Sequence, residues 1–112
     1  MKTVEKPWGK ELWFVKNEFY LGKIICVNKG SRLSKQYHNK KHETFFALKG
    51  RFILELNDKE IEIAEKQTVT IEPGNVHRVY APYEDIEIIE ISTPEHDDIV
   101  RLEDDFGRIT PK

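Results

Sequence analysis

The sequence predicts an all-β barrel, and three observations carry that prediction. Short runs rich in β-branched and aromatic residues recur along most of the chain, separated by turn residues. No segment before Glu95 holds a helical period of useful length. Four residues with metal-binding atoms, Gln36, His38, Glu43 and His77, stand where neighbouring strands of one barrel can converge on a point.

The strand signals follow one another in order. Leu12 to Val15 and Tyr20 to Val27 are aromatic and β-branched. Thr44 to Leu48 comes next, and Lys49-Gly50 turns the chain. Phe52 to Leu56 alternates and ends at Asn57-Asp58, a pair suited to a tight hairpin turn. Glu60 to Ile63 is a strict period-two strand with one wet face. Thr68 to Ile71, Arg78 to Tyr80 and Ile86 to Ile91 complete the set, which many short, evenly spaced strands assign to an antiparallel barrel or sandwich. In Asp97 to Arg108, by contrast, Ile99, Leu102 and Phe106 fall at spacings of three and four. This predicts a short helical turn docking one face on the barrel, with Gly107 as its stop.

Composition bounds the rest. A chain of 112 residues, 38% hydrophobic and 34% charged, is expected to form one domain over residues 1–112. A net charge of −2 with no sustained basic stretch argues against a nucleic-acid partner. The N-terminal residues lack the apolar core of a signal peptide, and no apolar run is long enough to span a bilayer. With no membrane segment, the expected location is the cytoplasm. The single cysteine, Cys26, cannot form an internal disulfide and is expected to be a buried, inert thiol.

The polar constellation carries the chemistry. Gln36 and His38 are two apart, so on a strand they share a face. Glu43 would reach the same point from the start of the next strand, and His77 from a strand far along the chain. Imidazole, carboxylate and amide oxygen form a nitrogen/oxygen set that suits one divalent metal ion, zinc first, with manganese, iron, cobalt or nickel also suited. His42 directly precedes Glu43 and would face away from the metal, and His96 has no sequence argument for a role.

These residues also carry a resemblance. Gly30, Gln36-Tyr37-His38, Glu43 and Gly50 resemble the first signature of the cupin superfamily, with Gln in place of the first His; Pro73-Gly74-Asn75-Val76-His77 resembles the second. Lys6-Pro7-Trp8-Gly9, Gly30 to Gln36 and above all Asp97 to Arg108 resemble the type II phosphomannose isomerases. In these the cupin is usually the C-terminal half of a bifunctional mannose-1-phosphate guanylyltransferase/mannose-6-phosphate isomerase. The likeness runs from about Val4 to Arg108 and implies a single cupin barrel (a double-stranded β-helix, or jelly roll). It also implies a homodimer, as does the need to cover edge strands such as Leu12 to Val15. In that family the first ligand position is also Gln, which supports Gln36. The chain departs at Asn39-Lys40-Lys41, at Thr44, at Lys66-Gln67 and in the placing of Pro73, changes that bear on the substrate rather than on the metal ligands.

The activity so implied interconverts mannose 6-phosphate and fructose 6-phosphate in nucleotide-sugar supply. Glu43 and Glu90 are the expected catalytic bases, with Glu72 a further candidate. A phosphorylated sugar needs positive charge at the mouth, for which Arg32, Lys35, Lys41 and Arg78 are the candidates. Arg32 is the first choice and is also counted with the catalytic groups. The alternatives are a non-catalytic sugar-binding or regulatory cupin acting beside a separate guanylyltransferase, or a cupin isomerase or epimerase for nucleotide-linked sugars.

Overall fold

The computed structural model describes residues 1–111. Eleven strands follow in chain order: β1 (Lys2–Lys6), β2 (Gly9–Lys16), β3 (Leu21–Val27), β4 (Lys35–Tyr37), β5 (Glu43–Lys49), β6 (Phe52–Leu56), β7 (Lys59–Ile63), β8 (Thr68–Ile71), β9 (His77–Tyr80), β10 (Ile86–Ser92) and β11 (Val100–Glu103). They form two antiparallel sheets, ordered β1-β2-β3-β10-β5-β8 and β11-β4-β9-β6-β7. Each sheet mixes strands from both halves of the chain. Two faces must be covered at once, and alternation along every strand supplies an inner set of side chains for each.

The inner set is Phe45, Phe52, Leu54, Ile63, Ile71, Val79, Ile86 and Ile88 with their neighbours, all buried. In β3, Leu21, Ile25 and Val27 face inward at alternate positions, and Lys23 occupies the same phase. The β6–β7 hairpin turns at Asn57 and Asp58, with φ of 49° and 68°, values that asparagine and aspartate tolerate better than most residues.

Three expectations are corrected. The stretch Asp97 to Arg108 forms no helical turn: Val100 and Arg101 pair with Tyr37 and Gln36 as a strand. The exposed edge of β4 offers unpaired backbone groups, and an extended segment satisfies them where a helix could not. Leu102 and Phe106 are 43% and 41% exposed, so they are not a docking face, while Ile99 does line the cavity. Gly107 does turn the chain, with φ of 76° and its N–H on the Asp104 carbonyl. Second, Leu12 to Val15 is not an edge, because β1 pairs with β2 on one side and β3 on the other. Cys26 is half-buried rather than enclosed, on the outer face of β3; burial and the Glu87 charge push its thiol up.

Candidate metal centre and cavity

The two sheets part at one end around a cavity of about 200 Å3. Its floor is the cluster His38, Glu43 and His77, whose ligand atoms all lie within 4.8 Å of one another. Nε2 of His38 is 3.4 Å, and Nε2 of His77 3.3 Å, from the same Glu43 oxygen, Oε1. All three side chains are buried.

The orientation of the rings has a backbone cause. His38 Nδ1 donates to the Asp98 carbonyl at 2.6 Å, and His77 Nδ1 donates to the Asn75 carbonyl at 2.9 Å. A carbonyl only accepts, so in the neutral ring the proton sits on Nδ1 and the Nε2 lone pair faces Glu43 Oε1. Two lone pairs and a carboxylate oxygen turned on one point call for a cation, and a divalent metal meets that demand. Gln36 lines the same cavity: on β4 it stands opposite His77, and its Nε2 donates to Ser34. The cluster can therefore hold a metal ion, and the nitrogen/oxygen donors fit one.

Two short loops fix this arrangement. Gly74, at φ of 86°, donates its N–H to the His38 carbonyl and so joins the turn before His77 to the other histidine. Asp98 accepts the backbone N–H groups of Asn39, Lys40 and Lys41. Burial raises the Asp98 carboxyl, but these bonds outweigh it and bring it down to about 2.

Beside the metal cluster runs an ionic chain. Lys41 Nζ lies 3.0 Å from Oε2 of both Glu43 and Glu90. These contacts are ionic, since neither oxygen receives an aligned hydrogen bond. Lys23 continues the chain, 3.9 Å from Glu90 and 3.2 Å from Glu11, which also accepts from the Trp13 indole. Burial raises Glu90, and the charge of Glu43 raises it further against Lys41 and Lys23. Burial also raises Glu43, but its close contacts with His38 and His77 and the charge of Lys41 reverse that and hold its carboxyl well below the usual carboxylate range. Burial lowers Lys41, and the two carboxylates more than restore it. Lys41 is thus a fixed positive charge held between a dedicated anion and a protonatable one.

The predicted residues divide sharply. Gln36, His38, Lys41, Glu43, His77 and Glu90 all line the cavity. Arg32, Lys35, Arg78 and Glu72 do not. Arg78 follows the inward His77 on a strand and so faces the other way; its Nε donates to the Leu33 carbonyl and its Nη2 to Asp105. Arg32 grips the same Asp105 with two bonds of 2.7 and 2.8 Å. Lys35, neighbour of the inward Gln36, pairs with Glu103 at 3.4 Å. Glu72 is exposed in the turn before His77. His42 lies outside the cluster on the surface, whereas His96 stands edge-on to Trp13 in the cavity wall.

Besides Lys41, the cations in the cavity wall are Lys6, Lys23, Arg101 and Arg108. Arg108 is held by Asp104 through bonds of 2.8 and 3.0 Å, and Arg101 Nε is buried without a hydrogen-bond partner among the described residues. Lys23 and Glu11 could have been found in the sequence, because both occupy the inward phase of otherwise apolar strands. Arg101 and Arg108 could not, because their place depends on the tail pairing with β4.

A family model described as mannose-6-phosphate isomerase C-terminal matches residues 1–104. The alginate biosynthesis protein AlgA of Pseudomonas aeruginosa is 34% identical over 109 residues, covering 94% of this chain and 23% of that protein. Mannose-1-phosphate guanylyltransferase ManC of Salmonella typhimurium is 31% identical over 112 residues, 96% of this chain and 23% of that one. The chain thus spans about a quarter of the length of these relatives. Among solved structures, KdgF from Halomonas superposes with a TM-score of 0.79 at 14% identity, covering 88% of this chain and 90% of that one. A double-stranded β-helix protein from Klebsiella pneumoniae gives 0.74 at 12% identity, covering 91% and 85%. The fold is the cupin double-stranded β-helix, and the chain belongs to the mannose-6-phosphate isomerase C-terminal family.

Proposed function

We propose that this protein is a metal-dependent sugar-phosphate isomerase that interconverts mannose 6-phosphate and fructose 6-phosphate in nucleotide-sugar supply. The observation that carries the reading is the adjacency of the His38–Glu43–His77 cluster and the buried Glu90, in one cavity whose wall also holds five cationic side chains. One divalent ion, zinc in this reading, would be held by Gln36, His38, Glu43 and His77. When bound it supplies positive charge for a carbonyl oxygen that gains negative charge during the reaction.

The remaining chemistry falls to the chain. Isomerisation takes a proton from C2 of the aldose and returns one to C1, while the O2 hydroxyl gives up its proton and O1 gains one, so no oxidant or reductant is needed. Glu90 is the leading base, because burial and the Glu43 charge raise it toward the range where a carboxyl both takes and gives protons. Glu43 is the second candidate. Lys41 keeps both carboxylates in place and adds positive charge near the developing enediolate. The phosphate end is assigned to Arg108 and Arg101, with Lys6 and Lys23 beside them. Arg32 and Arg78 act at one remove, by gripping Asp105 and so holding the tail that carries the cavity arginines. The partners in this reading are the sugar phosphate, a second copy of the chain and a separate guanylyltransferase, and the compartment is the cytoplasm.

The test is solvent deuterium incorporation at C2 of mannose 6-phosphate, followed by NMR on the metal-loaded protein. Exchange together with formation of fructose 6-phosphate is expected. Arg108→Ala should raise KM by roughly ten- to a hundredfold, the worth of one charge-assisted hydrogen bond. A loaded protein that binds the sugar phosphate and leaves the C2 proton in place overturns the isomerase and leaves a sugar-binding module. Exchange only with nucleotide-linked sugars would move the substrate to that class.

A further inference from the structure

Glu11 is a buried carboxylate in the cavity wall that the proton transfers do not use. On β2 it shares the inward phase with Trp13, two residues on. Its two hydrogen bonds, from the Trp13 indole at 2.9 Å and from Lys23 Nζ at 3.2 Å, both fall on Oε1. A carboxylate offers about four acceptor positions on two oxygens, so Oε2 is left to the cavity. Trp13 is itself held, edge-on to His96 at 5.5 Å and with Lys23 Nζ 5.1 Å from its ring centroid. The acceptor is therefore in place before any ligand arrives, and binding to it costs little ordering. Burial raises the Glu11 carboxyl, but Lys23, the Trp13 bond and Lys6 reverse that and hold it below its ordinary value. Its neighbours are cations: burial lowers Lys6, Glu11 raises it, and Lys23, Arg101 and Arg108 lower it further. Glu11 is thus an anion set among the cations of the phosphate end.

We propose that Glu11 is a specificity residue that accepts, through Oε2, a hydrogen bond from a hydroxyl of the bound sugar. This rests on the sugar-phosphate reading above and names the part of the ligand that meets the β2 wall. The first reason is sign. A carboxylate repels the phosphate that the cations attract, so whatever lies against Oε2 must be an uncharged proton donor. In a sugar phosphate the hydroxyls are those donors. The second reason is position. Along the sheet β2 is followed by β3, β10 and β5, so three strand spacings separate Glu11 from the strand of Glu43, on the order of 14 Å. Glu11 therefore meets the phosphate half of the sugar and acts on binding, while Glu90 and Glu43 act at the reacting carbons. The third reason is cost. An ion pair buried only to hold the fold seldom adds stability over apolar residues of equal shape, and Lys23 already has Glu90 at 3.9 Å. A site built to pair with a hydroxyl also rejects an analogue that lacks it, because the buried acceptor is then left unpaired.

Titration calorimetry on the metal-loaded full chain tests this with two probes, mannose 6-phosphate and inorganic phosphate. Glu11→Gln keeps an oxygen for the Trp13 indole and removes the charge. The Kd for mannose 6-phosphate should rise roughly ten- to a hundredfold, the worth of one charge-assisted hydrogen bond. Inorganic phosphate should bind more tightly, because the cations lose the charge that opposes them. Glu11→Asp keeps the charge and withdraws the oxygens by one methylene. It should weaken mannose 6-phosphate about tenfold and leave inorganic phosphate unchanged. A merely structural role would move both probes the same way. Parallel losses, or a Glu11→Gln protein whose affinity for mannose 6-phosphate holds or rises, overturn the proposal. A wild-type protein that fails to bind either probe also overturns it, and failure with both removes the sugar-phosphate reading as well. Opposite shifts in a protein that leaves the C2 proton in place uphold the role of Glu11 and remove the isomerase alone.

Discussion

The two sides of the six-stranded sheet reverse the ordinary distribution of polarity. The inner side carries Glu11, Lys23, Glu43 and Glu90, each no more than 6% exposed, whereas the outer side carries Leu12, Ile24, Phe46, Ile89 and Ile91. Transfer energies alone would place these sets the other way round. The inner charges persist because they alternate in sign, Glu43, Lys41, Glu90, Lys23, Glu11, so that each carboxylate has an ammonium beside it. A buried network of this kind seldom adds stability over an apolar one of equal shape. Its presence therefore points to chemistry in the cavity.

Lys41→Met breaks the comparison most severely. It leaves Glu43 and Glu90 facing each other with no ammonium between them. A buried pair that loses one partner is destabilised by about 3–5 kcal/mol. Urea unfolding should show that loss, whereas Ile89→Thr on the outer side should change stability far less. Comparable effects from the two would mean that the inner charges are an ordinary surface that happens to be covered.

The next largest effect separates two histidines. His77→Ala removes a donor on the inner side and should weaken zinc binding by on the order of a hundredfold or more, beyond the ten- to hundredfold worth of an outer-shell partner. His42→Ala, on the surface, should leave it unchanged. Chelator competition measures both, and equal losses would reassign the metal site.

Much of this architecture was legible in the sequence, for reasons that differ by residue. The strands were visible because alternation is a local signal, and Gln36, His38 and Glu43 because their spacing is local too. Leu102 and Phe106 misled, because a spacing of three and four over so few residues does not distinguish a helical turn from an edge strand with its side chains in water. Arg32 and Arg78 drew attention by standing beside the ligands, yet strand parity turns Arg78 away and Asp105 captures both. The cavity cations Arg101 and Arg108 depended on a pairing between β4 and β11 that no local pattern announces.

Asp98 supplies the smallest of the expected effects and links the ligand loop to the tail. Its carboxylate accepts the N–H groups of Asn39, Lys40 and Lys41, and its own carbonyl orients His38. The side chain is partly exposed, so solvent offsets much of what charge-assisted bonds would otherwise be worth; Asp98→Ala should lower stability by about 2 kcal/mol. The dependence on pH has a definite sign. A carboxyl whose folded value is depressed, here from 3.8 to about 2, stabilises the fold fully above the unfolded value and loses that contribution as pH falls through the folded one. The gap between wild type and Asp98→Ala should therefore be constant near neutrality, shrink below about pH 4 and nearly close at about pH 2. A gap that stays constant through this range would show that Asp98 acts through packing rather than charge. In that case the ligand loop would be held by the tail backbone, and zinc affinity would survive the substitution. If the charge does hold the loop, His38 loosens with it and zinc affinity falls about tenfold.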